Sequence, residues 1–168
     1  AYKTRDFGKG KEKVVKNVTG GKPFLFGFQM LDNDFSELII TEGEFDCMVV
    51  NQCGYDNVVS VGCGANALSA LVEQSKDFLK KYENLIILSD NDTAGEGMDA
   101  KFVEEFGLKA RLVDKNLYTV NDINAEYYKN GKEAIDKLID SARLKVEGRR
   151  DLDVMPYKGV SSRTGNYI

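Results

Sequence analysis

The chain has 168 residues, 42% of them hydrophobic and 30% charged, with a net charge of −4. That length and balance describe one folded domain with a small appendage. No run of 18 apolar residues provides a membrane span, no charged-then-apolar leader opens the chain, and its start at Ala1 fits a piece of something longer. Histidine is absent, which removes Ser-His-Asp and Cys-His catalysis and histidine-ligated metals together. Cys47, Cys53 and Cys63 contain no CxxC pair; they read as reduced core residues rather than a zinc site.

Charge is unevenly spread. Residues 1–22 hold seven basic side chains against Asp6 and Glu12, a net +5, leaving −9 for 23–168. Such a run is either a solvated terminus or a phosphate-binding segment. Phe24, Phe26 and Phe28 alternate with Leu25 and Gly27, the period of a short strand or extended stretch with one aromatic face; beside the lysines such a face could stack bases, but at period two it reads as core. Leu38–Thr41 predicts a buried strand, followed by a helix over Glu44–Gln52 ending at Gly54. Val58–Val61 predicts a second strand, followed by Gly62 and Gly64 and a helix over 67–81. Leu85–Leu88 predicts a third, with a helix over 94–106; Ala110–Val113 predicts a fourth, and a last helix covers 132–144. Continuously apolar strands alternating with helices specify an α/β fold: a mostly parallel four-stranded sheet with helices on both faces. Three segments follow: a small basic N-terminal subdomain (1–36), the α/β domain (37–145) and a charged, irregular linker (146–168).

In an open parallel sheet, ligands bind beyond the carboxyl ends of the strands. Three such ends carry acids here: Glu42-Gly43-Glu44-Phe45-Asp46, then Asp90-Asn91-Asp92, and then Asn121-Asp122. If these strands are neighbours, Glu42, Asp90, Asp92 and Asp122 converge on one cleft. Crowded carboxylates repel one another, and a hard divalent cation relieves the repulsion while leaving positions open for phosphate oxygens. The same acids are also ordinary helix caps. A calcium loop starting at Asp90 fails, because Ala94 and Lys101 stand where ligands are needed. Gly62-Cys63-Gly64-Ala65-Asn66-Ala67 fits only the loosest dinucleotide pattern; its glycines read better as close backbone approach to a ligand or to the acidic cleft. No P-loop occurs.

Glu42-Gly43-x-x-Asp46 after one strand and Asp90-x-Asp92-x-Ala94-Gly95 after a later one resemble the Toprim domain over about 38–142. Within that family the chain is most similar to the primase part of bacteriophage-type primase–helicases, through Val59-Ser60-Val61-Gly62-x-Gly64-Ala65, Asn121-Asp122-Ile123-Asn124 and the basic lead-in ending in Phe24-Leu25-Phe26-Gly27. The resemblance implies Mg²⁺, with Mn²⁺ able to stand in, held by Glu42, Asp90, Asp92 and Asp122. It gives Glu42 and Asp46 catalytic roles, and assigns nucleotide or nucleic-acid phosphates to Lys3, Arg5, Lys9, Lys11 and Lys13. Gly62 and Gly64 would line the same site.

The implied activity is nucleotidyl transfer making RNA primers. Its partners would be a single-stranded DNA template, ribonucleoside triphosphates and a replicative helicase domain of the same chain, with no membrane. The implied setting is the cytoplasm of a bacterial or phage-infected cell. Two alternatives use the same residues: a Toprim nuclease or topoisomerase breaking phosphodiesters, and a non-catalytic module binding DNA or a partner.

Overall fold

The computed structural model describes residues 3–5, 15–17, 24–31, 35–62 and 65–150. Two short strands, β1 (Lys3–Arg5) and β2 (Val15–Asn17), pair antiparallel, Lys3 opposite Asn17 and Arg5 opposite Val15. The α/β domain then runs β3 (Glu37–Thr41), α1 (Glu44–Gln52), β4 (Val58–Ser60), α2 (Ala65–Leu79), β5 (Asn84–Leu88), α3 (Thr93–Phe106), β6 (Ala110–Leu112), α4 (Ile123–Asn130) and α5 (Lys132–Arg150). The last helix continues six residues past the predicted end at Leu144.

The four strands β3 to β6 form an all-parallel sheet in the order β4-β3-β5-β6. Each strand is an apolar run because both faces are covered. On one face Leu38, Ile40, Leu85 and Ile87 pack with Leu71 and Val72 of α2 and Met98 and Phe102 of α3. On the other, Ile39, Ile86 and Leu88 meet Cys47 and Val50 of α1, Ile123 of α4, and Ile135, Leu138 and Ile139 of α5. Burying each such aliphatic side chain stabilises the fold by roughly 1.5–3 kcal/mol. Cys47 and Cys53 are free and buried, as expected of core thiols; Cys63 lies outside the described residues.

The phenylalanine segment corrects the predicted strand. Gly27 adopts φ +86°, a left-handed conformation that breaks the extended run, and Phe28–Met30 form a single 3-10 turn. Only Phe26 pairs, bridging antiparallel to Ser60 on the β4 edge. The side chain sent into the core is Leu25, 2% exposed. Phe24 and Phe28 stay partly exposed, edge to face with centroids 4.5 Å apart and leaning on Phe78.

Strand order fixes the cleft. From β3 the chain passes through α1 to β4 on one side; from β5 it passes through α3 to β6 on the other. Those two helices cover opposite faces of the sheet, so the loops leaving β3 and β5 diverge. The gap between them is the topological switch point, where ligands bind in open α/β sheets. Thr41 is paired with Leu88, which brings the loops beginning at Glu42 and Ser89 side by side.

Candidate active site

Glu42 follows β3 directly, and its loop is shaped by the backbone. The Thr41 hydroxyl donates to the Gly43 carbonyl at 3.2 Å, and the Gly62 N–H donates to the Glu42 carbonyl at 3.0 Å. Gly62 has φ +53°, and a β-carbon there would lie 3.0 Å from Glu44 Oε1. The expected close backbone approach is therefore made toward the acidic loop. Glu42 Oε2 is buried without a hydrogen-bond partner. Burial, with the charges of Asp92 and Asp46, pushes the Glu42 carboxyl above its ordinary range, opposed by Lys115.

Asp90 stands across the switch point, two residues past β5, and its Oδ1 is likewise buried and unpartnered. Burial first, then the charges of Asp46, Glu42, Asp122 and Asp92, push its carboxyl up to about 7. Gly95 makes the turn possible: a β-carbon there would fall 2.0 Å from the Asp90 carbonyl oxygen.

The other three acids are already held. Asp46, in the first turn of α1 and 7% exposed, accepts from the Gly43 N–H at 3.1 Å and from Asn124 Nδ2 at 2.6 Å. Burial outweighs those bonds and leaves its carboxyl above its ordinary range. Asp92 caps α3, accepting from the Gly95 N–H at 2.9 Å, and Asp122 caps α4, accepting from the Ala125 N–H at 2.7 Å. Each cap uses Oδ1 and leaves Oδ2 without a hydrogen bond among the described residues. Capping and ligand binding are thus compatible in one carboxylate. The loops meet through the Asn91 N–H, which donates to the Asn121 carbonyl at 2.8 Å.

Two supporting residues were not singled out from sequence. Glu126, 1% exposed, accepts from the N–H groups of Thr119 and Val120, the Thr119 hydroxyl and Asn130. Burial works to raise its carboxyl, but these donors hold it below the ordinary range and fix the loop that presents Asp122. Lys115, in a 3-10 turn after β6, reaches back to the end of β5. Its Nζ donates to the Ser89 carbonyl (2.8 Å), the Ser89 hydroxyl (2.7 Å) and the Asp90 carbonyl (2.5 Å).

Lys3 and Arg5 lie on β1. Lys9, Lys11, Lys13 and Gly64 lie outside the described residues.

Two buried carboxylate oxygens with no donor, facing a cluster of like charges, fit a hard cation. Among the described residues no group of three acids stands ready as a ligand set.

The family model described as Toprim-like matches residues 39–127, just over half of the chain. The chain belongs to the Toprim-like family. A DNA primase of Clostridium acetobutylicum is 30% identical over 136 residues, covering 77% of this chain and 21% of that protein. The gene 57 protein of Mycobacterium phage D29 is 27% identical over 135 residues, covering 80% and 83%. Among solved structures, one chain of a bacteriophage T7 assembly superposes with a TM-score of 0.62 at 26% identity, covering 77% of this chain and 66% of that one. In that assembly lagging-strand DNA polymerase interacts with primase domains of two gp4 subunits bound to an RNA/DNA hybrid and dTTP. This Toprim-like chain spans about a fifth of the curated DNA primases that it matches. Among its described residues no helix is long and apolar enough to cross a membrane.

Proposed function

We propose that the chain is the Mg²⁺-dependent catalytic core of RNA primer synthesis, joining ribonucleoside triphosphates on a single-stranded DNA template as the primase part of a primase–helicase. The observation that carries this reading is the pair of buried, unpartnered oxygens, Glu42 Oε2 and Asp90 Oδ1, at the switch point of the sheet. Resemblance to DNA primases selects polymerisation from the chemistries such a site could run.

Glu42 and Asp90 would hold the ion, with Asp92 and Asp122 offering their uncapped oxygens beside it. Bound there, Mg²⁺ would neutralise triphosphate charge and stabilise the transition state of phosphoryl transfer. In the bond-forming step a ribose 3′-hydroxyl attacks the α-phosphorus of the incoming nucleotide, and pyrophosphate leaves. By the family resemblance, Glu42 would also take the hydroxyl proton. Asp46 is fixed from two sides by Gly43 and Asn124, and so holds α1 and the Glu42 turn in register. Lys3, Arg5, Lys9, Lys11 and Lys13 would bind the phosphates of template or nucleotide, and Gly62 and Gly64 would let the backbone approach them. A helicase domain of the same chain would supply translocation, in the cytoplasm of a bacterial or phage-infected cell.

Incubation with single-stranded DNA, the four ribonucleotides and Mg²⁺ should yield short RNA products that disappear in Asp90→Asn/Asp92→Asn. DNA cleavage without nucleotides, in place of synthesis, would shift the reading to a nuclease. Unchanged synthesis by the double variant would overturn the metal assignment.

A further inference from the structure

We propose that Lys115 is a positioning residue for the cation site, fixing the end of β5 so that Asp90 presents its free oxygen to the cleft. The inference rests on the metal reading above and adds to it a residue twenty-five positions away in sequence. Three of its hydrogen bonds converge on Ser89 and Asp90, at the point where the strand has run out of ladder partners. Exposed carbonyls there would leave the strand end free to shift.

The ammonium is itself anchored from the far side. Asp99, on α3, lies 3.5 Å from Lys115 Nζ and accepts from the Ser89 hydroxyl at 2.6 Å. Tyr118 completes the frame, donating its hydroxyl to the Ser89 carbonyl at 2.8 Å, with its ring 5.8 Å from the ammonium. Lys115 therefore ties β5, α3 and the turn after β6 into one unit, and Asp90 cannot move without breaking it. Because Asp99 balances the lysine, the pair adds little net charge, and the carboxylates keep their attraction for a cation. Residues that orient metal ligands in this way commonly change metal affinity 10- to 100-fold when removed.

The test separates geometry from charge. Lys115→Met/Asp99→Asn removes the anchor while leaving the net charge unchanged. Binding of Mn²⁺ alone to the full chain is followed by loss of the free-ion electron paramagnetic resonance signal, and folding by the unfolding midpoint in EDTA. The double variant should bind Mn²⁺ about tenfold more weakly, and Lys115→Arg, which keeps charge and donors, should recover to within about threefold of wild type. If that double variant is unfolded, Lys115→Gln/Asp99→Asn, which also leaves the net charge unchanged but keeps one donor group, should give an intermediate loss. Wild-type affinity in either folded double variant overturns the role of Lys115 and leaves the metal reading standing. No Mn²⁺ uptake by the wild-type chain overturns both.

Discussion

Gly95 packs directly on the backbone of Asp90, so closely that a β-carbon at Gly95 would sit 2.0 Å from the Asp90 carbonyl oxygen and 2.9 Å from its carbonyl carbon. The obstruction is main chain, which cannot swing aside as a flexible side chain can. Gly95→Ala should therefore displace the Asp90 turn, at a cost of about 3 kcal/mol from overpacking. In a chain of this size that lowers the unfolding midpoint by roughly 6–12 °C. Gly97, where an added β-carbon meets nothing within 4 Å, is the matched control: it lies inside α3, and its replacement by alanine should stabilise slightly. Calorimetric unfolding of both variants checks the contrast.

Asp92 separates capping from chemistry. Its Oδ1 accepts from the Gly95 N–H, and asparagine caps a helix about as well as aspartate. Asp92→Asn should leave the free energy of denaturant unfolding in EDTA within about 0.5 kcal/mol of wild type, whereas Asp92→Ala should cost about 1 kcal/mol. Both should lose primer synthesis. Full synthesis by Asp92→Asn would reduce this acid to a cap.

Asp90 sets a pH dependence whose sign can be worked out. Its carboxyl lies near 7 in the folded chain, against 3.8 for an ordinary aspartate. Between those values the folded state holds a proton that the unfolded state has lost, so stability is fully present below about pH 4 and is lost as pH rises through 7. Three pH units correspond to at most about 4 kcal/mol. Glu42 and Asp46, also shifted upward, act in the same direction. Urea unfolding in EDTA should show lower stability at pH 8 than at pH 5. Asp90→Asn should flatten the profile, and so should added Mg²⁺, which replaces the proton as the neutralising partner. A wild-type profile rising from pH 5 to pH 8 would contradict this.

Much of this architecture is legible in the sequence, because double burial turns each parallel strand into an unbroken apolar run: Leu38–Thr41 and Leu85–Leu88 could be little else. Glu42 and Asp90 stand out as candidates because acids at strand ends point to a switch-point cleft; Asp122 lies ten residues beyond the end of β6, at the cap of α4. Residues acting over distance were hidden. Lys115 works through bonds to residues 25 and 26 positions earlier, and no local spacing announces such a contact. Helix α4 was also missed: it is one short, mostly polar stretch whose inward residues are Ile123 and Glu126, and a buried glutamate disguises the apolar stripe. The phenylalanines misled because period two was read without the left-handed turn at Gly27 that interrupts it.

Calorimetric titration of the full chain with Mg²⁺ at pH 8, beside Asp90→Asn/Asp92→Asn, addresses the central claim most directly. The wild-type chain should take up the ion and the double variant should not. No uptake by wild type, or equal uptake by both, would mean that the carboxylates at the ends of β3 and β5 are not a metal site.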